Sequence, residues 1–365
     1  MRATLCTLGL IAASMSIPPA AQAQTPAASP GSTIEASPTP RASVASGRRP
    51  QLGGRYTRVS DSPFAPKASV GVWTGQVALI TDTWTGRTLA YDPASDRWVP
   101  LARSPARIEQ VWPVWTGDRM ILVGDLADDG GIETWAYTLA TDSWSKLTDG
   151  PLPGHLASLA WQAGTLAARI SQLPDDVGII DADRFAILDE PGRSWRAIES
   201  PASTDAALLG VAGHIVGVAP RQAQVLDPLT GTWSASVATP VDIRGPGLVV
   251  GDRVLFLPFA TSDGGTGGWS FDPATMTWTV VPTDCPMWTG YATAAGSLAL
   301  NDAFAFDTAT GTCYRLPRSP GRHLGWARRL WLGDRLLVWS GNRGEELPQT
   351  RSGYVYIPPA PSGVK

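Results

Sequence analysis

The sequence predicts an all-β fold: a seven-bladed propeller of four-stranded antiparallel blades, closed by its own N-terminal strand. Three observations lead there. An aromatic residue or Leu, usually followed by Asp, stands seven positions before a Trp and recurs every 35 to 51 residues. A Gly-centred turn between apolar, strand-like runs precedes each copy. Gly (38) and Pro (32) are dispersed along the chain among Trp-rich segments, as expected of many short strands joined by tight turns.

The copies run from Tyr91 to Trp98, Tyr137 to Trp144, Leu188 to Trp195, Leu226 to Trp233 and Phe271 to Trp278. A degraded copy runs from Phe306 to Cys313, with Tyr314 beside the expected Trp position. Between the two landmarks lies turn chemistry such as Asp92-Pro93, where Asp bonds its own backbone and Pro presets φ. The earlier turns centre on Gly75, Gly117, Gly164, Gly213, Gly251, Gly296 and Gly333. One unit is therefore four strands, a to d, and a repeat of this size predicts sheets that cover one another's faces. The Trp residues beginning strand d are assigned to packing between blades.

Six complete units span residues 68–317. A seventh begins near His323 and reaches Tyr356 without a fourth strand, while Tyr56-Thr57-Arg58-Val59 is a strand without a sheet. Joining the two removes the open edge that would otherwise template aggregation. Six blades is the alternative, should the short copy at 288–317 not form a full sheet.

The ends read differently. Met1-Arg2, the apolar stretch Leu5 to Met15 and Ala21-Gln22-Ala23 have the form of a signal peptide over residues 1–23, which predicts export to the periplasm or the medium. Residues 24–54 are rich in Pro, Ala, Ser and Thr and are expected to be a disordered tether. The propeller is assigned to 55–358 and a tail to 359–365. With 29 basic against 32 acidic residues the chain has no nucleic-acid footprint, and no apolar run is long enough to span a bilayer. A monomer is expected.

The Tyr-Asp-x-x-x-x-x-Trp spacing and the Gly-Asp turns resemble those of the kelch-repeat family over residues 55–357. The family's Gly-Gly doublet at the end of strand b is replaced here by Gly124-Asp125 in one unit and Ser340-Gly341-Asn342 in another. A WD-type propeller ranks lower, because its Gly-His and Trp-Asp signatures are missing.

In a propeller the d–a and b–c connections gather at one end of the central channel. Just before strand a, the units place Lys67, His155, Asp205 and Trp288, with Arg107, Glu109, Arg244, Arg322 and His323 close to the same position. The b–c loops add Trp84, Arg87, Arg221 and Asn301, the acidic pairs Asp128-Asp129 and Asp175-Asp176, and Asp263, Arg343 and Glu345. Guanidinium forks and aromatic faces suit a glycan or small carboxylate, although solvated loop charge is the plainer reading of any single residue. The leading expectation is a non-catalytic binding module for a glycan or envelope protein. The alternative is a periplasmic sugar enzyme of the mutarotase or epimerase kind, with Glu109 or Asp205 as acid–base group.

No cofactor or metal is expected. The kelch resemblance raises the copper site of galactose oxidase, for which His155, His323 and Cys285 lie at suitable blade ends, but the adjacent Tyr-His ligand pair is missing. Cys285 and Cys313 are expected as unpaired thiols, because a d–a loop and the start of a strand d belong to opposite faces.

Overall fold

Apolar alternation broken by Asx turns folds each repeat into a meander of four antiparallel strands. The computed structural model describes residues 49–66, 68–106, 108–126, 131–149, 154–171, 183–189, 194–243, 246–257, 267–282, 285–287, 289, 292–320, 327–341 and 349–359. Residues 1–23, expected to be a signal peptide, and all but residues 49–54 of the expected tether lie outside these residues.

Seven sheets follow in chain order. Blade 1 comprises β2 (Ser69–Trp73), β3 (Ala78–Asp82), β4 (Thr88–Asp92) and β5 (Arg97–Leu101). Blade 2 holds β6 (Ile108–Trp115), β7 (Arg119–Leu126), β8 (Ile132–Thr138) and β9 (Ser143–Asp149). Blade 3 holds β10 (His155–Gln162), β11 (Thr165–Ser171), β12 (Arg184–Asp189) and β13 (Ser194–Ile198). In blade 4, after β14 (Ala207–Val211), β15 (His214–Ala219) and β16 (Gln222–Asp227), the outer strand is interrupted into β17 (Thr232–Trp233) and β18 (Val237–Ala238), both paired to β16. Blade 5 holds β19 (Leu248–Val250), β20 (Arg253–Phe256), β21 (Gly267–Asp272) and β22 (Thr277–Pro282). Blade 6 is a full sheet of β23 (Thr293–Ala295), β24 (Leu298–Leu300), β25 (Phe304–Asp307) and β26 (Thr312–Arg315), which removes the six-blade alternative.

Blade 7 combines both ends of the chain. Its β27 (Arg328–Trp331), β28 (Leu336–Trp339) and β29 (Gly353–Ile357) are completed by β1 (Arg55–Val59), paired from Arg55↔Ile357 to Val59↔Gly353. Just upstream, Gln51 bridges Arg315 of β26 in parallel, so the chain touches the outer strand of blade 6 before it enters blade 7.

The ring is closed by its core as well as by its strands. Seven clusters of buried apolar residues each draw on two neighbouring blades, from the blade 1–2 junction round to blade 7–1. At the last of these, Ile80, Leu89 and Tyr91 of blade 1 meet Leu337, Trp339 and Val355 of blade 7.

One slot recurs at every junction. The residue paired with the end of strand c packs against the core shared with the preceding blade: Trp98, Trp144, Trp195, Trp233, Trp278, Cys313 and, in blade 7, Tyr56. Three of the indoles also donate Nε1–H to the carbonyl just past the outer strand of the preceding blade: Trp98 to Ser60 at 2.9 Å, Trp144 to Ala102 at 3.0 Å and Trp233 to Glu199 at 2.9 Å. Two residues before the slot the backbone takes positive φ, at Asp96, Asp142, Gly231, Met276, Gly311 and Gly54. Gly, Asp and Asn tolerate that conformation best, which accounts for five of the six. The two Asp residues are also latched. Asp142 Oδ1 accepts from Tyr137 Oη at 2.7 Å and from the Ala102 amide at 2.7 Å, and Asp96 accepts from Tyr91 Oη at 3.0 Å and from the Ser60 amide at 3.0 Å.

The cysteines correct an expectation. Cys285 and Cys313 form a disulfide, with Cα atoms 5.4 Å apart. Strand twist accumulates by roughly 20–25° from one strand to the next. The outer strands therefore lie across the blades and run head to tail round the perimeter. The start of one strand d thus meets the end of the one before, as the indole–carbonyl bonds repeat. Cys313 fills the Trp slot of blade 6 and Cys285 follows the outer strand of blade 5, so a covalent bond stands where a hydrogen bond stands elsewhere.

Candidate functional site

Of the residues assigned to the rim from sequence, Lys67, Arg107, Arg244, Trp288, Arg322 and His323 lie outside the described residues, as do Asp128, Asp129, Asp175, Asp176, Asp263, Arg343 and Glu345. Glu109, His155 and Asp205 are described, and the structure relates the first two but not the third.

A cavity of about 710 Å³ opens between the b–c turn of blade 1 and the connection from blade 1 to blade 2. Its walls include Thr83, Trp84, Thr85, Arg103, Ser104, Ile108, Glu109 and Gln110. That size is within the usual range for small-molecule pockets. Ala68, Ala106 and Ile108 also line it, so the chain neighbours of Lys67 and Arg107 are at its edge.

The turn is built from the bottom by Asp82, the last residue of β3 and 1% exposed. Its Oδ1 accepts the Trp84 amide at 3.1 Å and its Oδ2 accepts the Thr85 hydroxyl at 2.7 Å. Gly86 has φ +71°, and a Cβ there would lie 2.5 Å from the Ser104 carbonyl, so this close approach of turn and connection requires glycine. Arg103 then clamps the turn, donating Nε and Nη2 to the Thr85 carbonyl at 2.9 and 2.6 Å. Held this way, Trp84 presents its ring to solvent with 70% of its surface exposed.

The opposite wall depends on a β-bulge in β6 between Glu109 and Trp112, where Gln110 takes φ +45°. A left-handed conformation at a non-glycine residue beside a cavity is the kind of local strain that collects at functional sites. Glu109 is exposed and lies opposite Asp125 of β7. Asp125 is 3% exposed; its Oδ2 lies 2.9 Å from His155 Nδ1 and its Oδ1 accepts the Leu156 amide at 2.7 Å. Glu109, Asp125 and His155 thus form a continuous polar strip from blade 2 into blade 3.

Asp125 carries no functional expectation in the sequence reading. Its signal was an acid near the end of an otherwise apolar strand, Met120 to Leu126. Asp205 sits apart, exposed before β14. Its carboxylate accepts the Ser203 hydroxyl at 2.5 Å and its carbonyl accepts from Arg169.

The chain matches no protein-family model and no curated protein. Chemical capacity therefore has to be read from the side chains. An exposed indole face, a carboxylate, an amide and a guanidinium around one opening can hold a polyhydroxylated ring by its apolar face and its hydroxyls. The copper arrangement does not fit the groups present. Cys285 Sγ, which a Tyr–Cys thioether would need, is committed to the disulfide. Among the described residues no three His, Cys, Asp or Glu side chains converge to hold a metal ion.

Proposed function

We propose that this chain is an exported, kelch-type propeller that serves as a non-catalytic binding module, with a glycan as the ligand received beside Trp84. The observation that carries the reading is the 70% exposed indole on the wall of a cavity of about 710 Å³ that also bears Glu109, Gln110 and Arg103. A solvent-facing Trp has no role in the core, and an aromatic platform with polar neighbours matches the two chemistries of a pyranose face and edge. Kelch character is supported by the Tyr-to-Trp spacing and by the repeated slot it creates. Export is supported by the leader-like residues 1–23 and by a disulfide, which persists in oxidising compartments. In this reading residues 24–54 tether the monomeric propeller in the periplasm or outside the cell, where a small carboxylate or an envelope protein is the alternative partner.

Calorimetric titration with neutral oligosaccharides tests it. Trp84→Ala, which removes the ring but keeps the backbone amide bonded to Asp82, should weaken binding by at least tenfold. Equal affinity in wild type and Trp84→Ala would remove this pocket from consideration. The enzyme reading is favoured by one observation, a carboxylate (Glu109) on the wall of the same cavity. It requires that the protein accelerate anomer exchange of reducing sugars by NMR and that Glu109→Gln abolish the acceleration.

A further inference from the structure

A second cavity, about 170 Å³, lies where the inner strands of blades 7, 1 and 2 meet, away from Trp84. Its walls are apolar at Ile80, Leu330 and Leu337 and polar at Ser69, Arg328, Arg329 and Trp339. Ser69 is 2% exposed and Trp339 1%, and among the described residues neither Ser69 Oγ nor Trp339 Nε1 has a hydrogen-bond partner. Buried polar groups are almost always satisfied, and an orphan costs about 1–3 kcal/mol. Two orphans on one small cavity point to a missing partner.

The strand registers bring these groups to a common face. Arg328 and Trp339 are direct partners across β27 and β28, so their side chains leave the sheet together. Trp339 packs into the core shared with blade 1, and Ile80 does so from the other side. Ser69 lies on the Ile80 face, because Ile80 pairs with Gly71, two residues along the strand. Arg328 is exposed over part of its side chain and has no ion pair among the described residues, and partial desolvation pulls its guanidinium below the ordinary Arg value. Neighbouring Arg329 is neutralised by Asp302, with Nε to Oδ1 at 2.8 Å. The carboxylate on this face, Asp82, is occupied by the amides of Ala68 and Trp84 and the hydroxyl of Thr85. No Asp or Glu lines the cavity among the described residues.

We infer that this cavity binds a short-chain monocarboxylate, its carboxylate held by Arg328, Ser69 Oγ and Trp339 Nε1 and its alkyl group lying against Ile80 and Leu337. The polar lining is a hydroxyl, an indole N–H and the guanidinium groups of Arg328 and Arg329, of which the indole and guanidinium groups can only donate; Asp302 pairs with Arg329, so among the described residues one positive charge is left without an ion pair. Such an array selects an anion. At about 30 Å³ per water, the volume admits roughly five waters or one ligand of about six heavy atoms. The apolar walls favour an alkyl carboxylate over an inorganic oxyanion, which would leave them facing charge.

The probe is butyrate, titrated into the whole protein by calorimetry and by ¹H–¹⁵N spectra of the Trp indoles. Butyrate should bind, and the Trp339 indole resonance, assigned by its loss in Trp339→Phe, should move downfield. Arg328→Met keeps the aliphatic stem and should weaken binding on the order of 10- to 100-fold; Ser69→Ala should weaken it several-fold, and Trp84→Ala should not change it. Butyramide and sulfate should bind much more weakly than butyrate. Equal affinity for butyramide or sulfate, an unmoved Trp339 signal, full affinity in both Arg328→Met and Ser69→Ala, or loss of binding in Trp84→Ala would each overturn the assignment. The last outcome would place butyrate in the other pocket.

Discussion

Trp98 offers the most direct test of how the ring is held together. Its indole is 8% exposed, with its ring centre 4.6 Å from that of Tyr91 and 5.0 Å from that of Trp339, so it is shared between blades 1 and 7. Truncation to Ala removes that burial and leaves a cavity, at a cost of about 3–5 kcal/mol. For a domain of this size such a loss lowers the melting temperature by on the order of 6–10 °C. Trp98→Phe retains most of the packing but deletes the bond to the Ser60 carbonyl, and should cost about 1–2 kcal/mol. Trp278 provides the internal control: it fills the same slot, but among the described residues its Nε1 has no partner. Trp278→Phe should therefore be milder than Trp98→Phe by about 1 kcal/mol. Urea unfolding followed by far-UV circular dichroism measures all three without depending on Trp fluorescence. A Trp98→Ala loss below 1 kcal/mol, or a Trp278→Phe loss equal to that of Trp98→Phe, would refute the assignment of the slot to junction strength.

Three further outcomes are expected. The disulfide closes a loop of 28 residues, so Cys313→Ser should lower stability by about 3.5 kcal/mol on chain entropy, and alkylation of the denatured, unreduced chain should label neither Cys285 nor Cys313. A label on Cys285 or Cys313 would disprove the bridge. The Ala102 amide and the Tyr137 hydroxyl hold the Asp142 carboxyl below its ordinary value. Its stabilising contribution is therefore present above about pH 4 and is lost as pH falls through the depressed folded value. Asp142→Asn should thus be more damaging at pH 7 than at pH 3, and equal losses in urea titrations at the two pH values would contradict this. A chain beginning at Ser62 lacks β1 and exposes the edge of β29, so it should elute as oligomers in size-exclusion chromatography; a stable monomer would show that the latch is dispensable.

The architecture was legible because its landmarks are periodic. Five Trp residues and seven turn glycines recur at blade spacing, and an orphan strand at one end matches a missing strand at the other. The seventh copy of the motif was hidden by the chain break. Tyr356 belongs to its strand c, while Gly54 and Tyr56 belong to its strand d, so the spacing of seven never appears in the linear sequence. The disulfide was misread for a geometric reason: blade ends assigned to opposite faces assume flat sheets, and twist brings the start of one outer strand against the end of the last. The site was only partly legible. Trp84 and Glu109 come from separate connections with no periodic relation, and nothing in their spacing joins them. Arg328, Ser69 and Trp339 are less visible still, because each stands in an ordinary strand position and only the failure of two polar atoms to find partners sets them apart.

The pairing of β1 with β29 also bears on how the molecule comes into being. Val59 and its partner Gly353 are 294 positions apart, whereas the strands within each of blades 1 to 6 are sequence neighbours. During synthesis those six sheets can assemble as they emerge, while β1 waits for β29, which follows all of them. Loop-closure entropy grows only slowly with length, so this long separation burdens the speed of completion far more than the final stability. Any factor that shields a nascent chain would be needed longest at the first segment to appear.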